Sequence, residues 1–102
     1  MKNFVFPTEL EINSIGNLFK IIGDTTRLKL IFNLYNGKKT VNELAEITNS
    51  SQSLVSHQLK ILKNNKIVNS VKSGNYVYYF LIDGHINTLI NSCRTHINEG
   101  VV

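Results

Sequence analysis

Thr40-Val-Asn-Glu-Leu44-Ala-Glu-Ile-Thr48-Asn49-Ser50-Ser51-Gln-Ser-Leu-Val55-Ser-His57-Gln-Leu59-Lys60-Ile-Leu62-Lys63-Asn-Asn65 is the stretch on which the fold turns. Leu44, Ala45 and Ile47 give a short helix from about Val41 to Thr48 an inward side. Val55, Leu59 and Leu62 do the same for a second helix that Ser51 caps and that runs to about Asn65. Between the two lies Thr48-Asn49-Ser50, a tight polar turn in which Asn49 can take the left-handed conformation at modest cost. Two short helices joined by about three polar residues form the helix-turn-helix pattern. An arbitrary helical hairpin shares it, so the second helix must be read face by face.

Its second face is polar. Ser53, Ser56, Lys60 and Lys63 recur at i, i+3, i+7 and i+10, with Gln52 and His57 beside them. The amino-terminal end offers short or forked donors and acceptors suited to base edges in a major groove, and the lysines further along reach phosphates. Net charge is +4, and residues 51–75 contain Lys60, Lys63, Lys66 and Lys72 without a single acid. A basic block in an otherwise balanced chain points to a polyanion partner, here double-stranded DNA. Gln52, Ser53, Ser56, His57, Lys60, Lys63 and Lys72 are the candidate DNA contacts.

Beyond Asn65 the pattern switches to period two. Ile67, Val68 and Val71 precede Lys72-Ser73-Gly74-Asn75, and Tyr76-Val-Tyr-Tyr-Phe-Leu81 follows, which reads as a β-hairpin. A hairpin directly after a recognition helix is a wing, with Lys72 near its tip. Its aromatics read as core and sheet packing. Upstream, Leu10, Ile15, Leu18, Phe19 and Ile22 recur at helical spacing from about Glu9 to Ile22. Gly23 ends that helix, and Asp24 caps a second one carrying Leu28, Ile31, Phe32 and Tyr35, closed by Asn36-Gly37. Residues 1–8 form a short tail. The expected fold is therefore one domain over 1–102, mainly α with a β-hairpin wing: helices at 9–22 and 83–99, a helix-turn-helix at 41–65 and a wing at 67–81.

The last helix carries a second kind of chemistry. Asp83-Gly-His85 is followed by ten residues and then by His96-Ile-Asn-Glu99. Asp83, which can double as N-cap, His85, His96 and Glu99 are a complete set of zinc-type ligands. A helix rises about 1.5 Å per residue, so the two pairs sit roughly 16–20 Å apart. Metal–ligand bonds of about 2.0–2.2 Å cannot bridge that gap within one chain. A second copy of the helix running antiparallel beside the first closes the gap and makes two identical sites. The geometry predicts a homodimer with metal between its subunits, although solvated polar residues at a helix end would give the same string. Ile86, Leu89, Ile90 and Cys93 form this helix's apolar side, Cys93 being a packed core or interface residue.

Composition limits the alternatives. At 102 residues, with 42% hydrophobic and 18% charged, the chain is ordinary globular material. No apolar run approaches a membrane span and no signal-peptide pattern opens the chain, so a cytoplasmic protein is expected. One cysteine rules out an intramolecular disulfide or a cysteine-based zinc knuckle. A hydrolytic zinc keeps an open position for water, and the chain has no spare length for a substrate cleft. Neither an enzyme nor a small-molecule substrate is expected.

The helix order, the wing and the string Ser51-Gln-Ser-Leu-Val-Ser-His57-Gln-Leu59 resemble the ArsR/SmtB family of winged-helix metal-sensing repressors, from Leu18 to Glu99. Gly23-Asp24-Thr25-Thr26-Arg27-Leu28 is similar to the family's second-helix opening, with Thr25 where proline is usual. Asn49 stands in the turn where the family often has glycine. The family's arsenic, lead and cadmium sensors carry a cysteine pair in the helix before the recognition helix, and Thr40-Val-Asn-Glu-Leu44 has none. Its zinc sensors place Asp-x-His and His-x-x-His or His-x-x-Glu where Asp83, His85, His96 and Glu99 fall. The resemblance implies a dimeric repressor on an inverted-repeat operator, released when Zn(II) binds, with genes of zinc efflux or sequestration under its control. It further implies a hydrogen bond from a metal-bound histidine toward a carbonyl near Lys66. Two imidazoles and two carboxylates suit four-coordinate zinc, and Co(II) can substitute in vitro. The other expectation is a metal-independent regulator of the same fold, with Cys93 as a redox handle.

Overall fold

The computed structural model describes residues 4–82 and 84–100. Its elements run α1 (Glu9–Ile22), α2 (Thr25–Asn33), α3 (Val41–Thr48), α4 (Gln52–Asn64), β1 (Val68–Ser73), β2 (Tyr76–Leu81) and α5 (His85–Asn98). Short polar side chains start the first four helices. Thr8 and Thr40 each form a capping box, with Glu11 and Glu43 respectively, while Asp24 and Ser51 accept from the backbone N–H groups of Arg27 and Leu54. Each cap satisfies amides that the first turn leaves without partners.

The core sits where α2, α3, α4 and the base of the wing meet. Leu30, Ile31, Leu44, Val55, Leu59, Leu62 and Val68 are all but inaccessible to solvent. Burying such a side chain stabilises by about 1.5–3 kcal/mol, so these few residues hold the helix-turn-helix together. The outer helices contribute less, with Ile22 from α1 and Ile90 from α5. α1 and α2 join through Gly23, whose N–H donates to the Phe19 carbonyl at 2.9 Å. A Cβ there would lie 2.8 Å from that same oxygen, so the junction requires glycine.

Both helices of the helix-turn-helix are followed by a left-handed residue that is not glycine. Asn49 (φ 53°) ends α3 and Lys66 (φ 60°) follows α4. In each case two amides reach back, Asn49 N–H to Glu46 and Ser50 N–H to Ala45, then Lys66 N–H to Lys63 and Ile67 N–H to Leu62. That is the Schellman arrangement, which satisfies the last carbonyls of a helix.

The wing is a two-stranded antiparallel sheet in which Val68 pairs with Leu81 and Ser73 with Tyr76. Gly74 has φ 62° at the first of the two turn residues, where a two-residue hairpin favours glycine. Lys39 bridges to Tyr79 through two backbone hydrogen bonds of 3.0 and 2.7 Å, tying the segment before α3 to β2.

Several expectations change. Ile47 is exposed rather than inward: in this short helix Leu44 and Ala45 are the buried residues, with Val41 packed against the core beside them. α2 stops at Asn33, and turns fill the distance to Gly37. The last helix begins at His85 and ends at Asn98 rather than spanning 83–99, with Gly84 at the N-cap position and no side-chain cap. Asp83 lies outside the described residues. Tyr79 and Leu81 pack on the core as expected of the hairpin, but Tyr76 is exposed and leans on Tyr78 with ring centroids 6.3 Å apart. Strand alternation sends the two sets to opposite faces.

Candidate nucleic-acid interface and metal centre

α4 is held at its start by the Ser51 hydroxyl, which accepts from Leu54 N–H at 3.1 Å, and along its length by Val55, Leu59 and Leu62. Burial of that side fixes which residues point out. Gln52, Ser53, Ser56, His57 and Lys60 are all exposed and line one shallow concave surface together with Val41 of α3. Five of the seven expected DNA contacts are thus assembled on one face. Lys63 is exposed but engaged, its Nζ donating to Ser70 Oγ on β1 at 2.8 Å, so it ties α4 to the wing. Lys72 sits near the wing tip, paired with Val77, on the same strand face as Ser70.

Three basic or amide side chains were not singled out by the sequence patterns. Lys38 lies over the Tyr78 ring at 4.9 Å from its centroid, a cation–π contact at the outer side of the wing. Arg27 and Gln58 hydrogen-bond to each other across 31 residues of sequence. No periodicity signals a pair that distant. The one signal available for Arg27 was its place in the opening string of α2.

On α5, His85 is the first helical residue, His96 lies in the last turn and Glu99 occupies the C-cap position. Offsets of 7, 11 and 14 residues from His85 are close to whole turns at 3.6 residues each, so His85, Ser92, His96 and Glu99 form one stripe along the helix. All four are exposed. Among the described residues no group of three or more His, Cys, Asp or Glu side chains gathers where one ion could be held. Roughly 16 Å of helix separates His85 from His96. The donors suit zinc in kind, imidazole nitrogen and carboxylate oxygen, but fit it only as two halves supplied by two α5 helices.

Beside that polar stripe runs an apolar one. Phe19 and Ile22 of α1, Phe32 of α2, and Leu89, Cys93 and Ile97 of α5 line an open apolar groove. Phe19 is 50% exposed and Ile97 61%, and on α1 Leu10, Ile12 and Ile15 are also uncovered. The Cys93 thiol is free and exposed. Near the groove, burial pushes the Tyr35 phenol above its ordinary range, partly opposed by the positive charge of Arg94.

Comparison with known proteins agrees with this architecture. Residues 24–70 match the family described as bacterial regulatory protein, arsR family. The transcriptional repressor SdpR of Bacillus subtilis (strain 168) is 35% identical over 86 residues, covering 84% of this chain and 96% of its own length. A homolog of the cadmium resistance transcriptional regulatory protein CadC from Staphylococcus aureus is 36% identical, over 83% of this chain and 71% of that protein. Among solved structures, the antimony-specific transcriptional repressor AntR superposes with a TM-score of 0.84 at 26% identity, covering 98% of this chain and 91% of that one. Among the described residues no helix is long and apolar enough to cross a membrane. The chain belongs to the ArsR family: it is a DNA-binding transcriptional repressor with a winged helix-turn-helix, not an enzyme.

Proposed function

We propose that this chain acts as a cytoplasmic, zinc-responsive repressor, a homodimer that holds an inverted-repeat operator and lets go when Zn(II) binds between its last helices. The observation that carries the proposal is the α5 stripe, where His85 at one end and His96 and Glu99 at the other are exposed beside an uncovered apolar strip. A second α5 laid antiparallel covers the apolar residues and brings His85, with Asp83, to His96 and Glu99 of the other copy. In the DNA-bound arrangement, Gln52, Ser53, Ser56 and His57 read base edges, while Lys60, Lys63 and Lys72 meet phosphates. Asp83 and His85 of one copy with His96 and Glu99 of the other would hold the zinc, which would tie the two α5 helices together. The protein's part is a quaternary arrangement in which the two α4 helices no longer match successive major grooves. The resulting coupling between metal and DNA is of the order of 1–3 kcal/mol, and it is reciprocal.

The donor set favours zinc over softer ions. The Staphylococcus aureus relative is named for cadmium resistance, but the sequence here has one cysteine, so no thiolate pair within a chain is available for a soft metal. Zinc efflux or sequestration genes are the natural targets of such a switch, and Co(II) is the expected substitute in vitro.

Fluorescence anisotropy on a duplex from upstream of the protein's own gene, with zinc and then a chelator, tests this reading. Zinc should release the DNA and chelation restore it. His96→Ala should keep operator binding within about twofold and lose the zinc response, since one missing imidazole leaves each site three donors. A variant still released by zinc would remove His96 from the site. The exposed Cys93 thiol supports a second reading, a regulator indifferent to metal that responds to oxidation at that sulfur. It predicts equal operator binding with and without zinc, and a change on thiol oxidation that Cys93→Ser abolishes.

A further inference from the structure

We infer that Arg27 and Gln58 form a strut that sets the angle of α4 on the α1–α2 body, making both of them positioning residues for operator recognition. The inference rests on the reading of α4 as the DNA-reading helix of a dimer, and concerns what aims it.

Arg27 touches three elements. Its backbone N–H donates to Asp24 Oδ2 at 3.0 Å, fixing it in the first turn of α2. Its Nε donates to the Ile21 carbonyl at 2.7 Å, satisfying one of the acceptors that the end of α1 leaves open. Its Nη1 donates to Gln58 Oε1 at 2.9 Å, halfway along α4. The guanidinium is a rigid planar fork, so bonds made from two of its nitrogens fix a direction as well as a distance. On α4, Gln58 is half-buried and lies between exposed His57 and fully buried Leu59. A weaker second tie, Asn17 Nδ2 to Asn65 Oδ1 at 3.5 Å, links α1 to the end of α4.

Apolar packing of Val55, Leu59 and Leu62 fixes which side of α4 faces the core, but the attraction itself is non-directional and leaves room for small rolls about the helix axis. A directional bond does not. With a helix radius of about 5–6 Å including side chains, a 20° roll of α4 moves an outward tip by about 2 Å. Hydrogen bonds to base edges tolerate about 0.5 Å, so Ser53, Ser56 and His57 need an element that resists rolling. α1 carries the exposed apolar stripe, so the strut also connects the surface where copies meet to the surface that reads DNA.

The test compares wild type with Gln58→Leu and Gln58→Glu, on an operator selected from a random duplex pool and on a scrambled duplex. Gln58→Leu removes the acceptor but keeps Arg27 bonded to Ile21. It should lose at least about tenfold of the preference for operator over scrambled DNA, with scrambled binding and melting temperature near wild type. Gln58→Glu, whose carboxylate accepts more strongly from a guanidinium, should restore the preference. The inference is overturned by wild-type preference in Gln58→Leu, by an equal loss on both duplexes (which would make Gln58 a phosphate contact), or by failure of Gln58→Glu to restore. A wild type that selects no sequence would overturn the DNA-reading assignment, and the strut with it.

Discussion

The helix-turn-helix and the outer helices obey the same periodicity but finish differently. α3 and α4 place Leu44, Leu59 and Leu62 wholly out of solvent within one chain. α1 shows an equally regular apolar stripe, yet Leu10, Ile15 and Phe19 remain exposed, as does Ile97 on α5. Periodicity reports that a helix has an apolar side. It does not report whether that side is covered by the same chain or by another. Here the inner unit is complete in the protomer, whereas the outer pair presents a surface that monomeric soluble proteins rarely leave contiguous.

Leu59→Ala probes the inner unit most severely. A cavity at a fully buried leucine should lower stability by about 2–5 kcal/mol, read as a fall in melting temperature at every protein concentration. Phe19→Asp probes the outer surface instead. It should weaken dimerisation by about tenfold to a hundredfold in sedimentation, as for a truncated interface hot spot, and leave the melting of the dilute protomer nearly unchanged. If Phe19→Asp melted as Leu59→Ala does, the two regions would not be separable. The smallest effect belongs to the turn where inner unit and wing meet. Lys66 holds φ 60°, so Lys66→Gly should raise stability by up to about 1 kcal/mol in denaturant titration. A loss of stability there would mean that the Lys66 side chain, and not its backbone, serves the turn.

The same contrast explains what was legible in advance. Ser51, Asn49, the Val55-Leu59-Leu62 stripe and the Gly74-Asn75 turn are local signals, and each does in the structure what its chemistry suggested. Ile47 was misread because an apolar residue near the end of an eight-residue helix has little body left to face. At the start of α5 the sequence offers Asp83 as a cap, which lies outside the described residues, and Gly84 stands at the N-cap position. On the candidate metal stripe, His85, His96 and Glu99 were legible as spacing. The Arg27–Gln58 bond was not, since it joins residues that only the packing of α2 on α4 brings together.

The uncovered stripe on α1 and α5 has a consequence for dosage. If two copies must meet before either α4 can grip its half-site, then below the dimer dissociation constant operator occupancy grows with the square of protein concentration. A modest fall in synthesis then opens the promoter more sharply than a monomeric repressor would allow, and a modest rise shuts it as steeply. On that condition the hydrophobicity of Phe19 and Ile97, both exposed on the stripe, would set the threshold of a genetic circuit, a quantity adjustable by one methylene at a time.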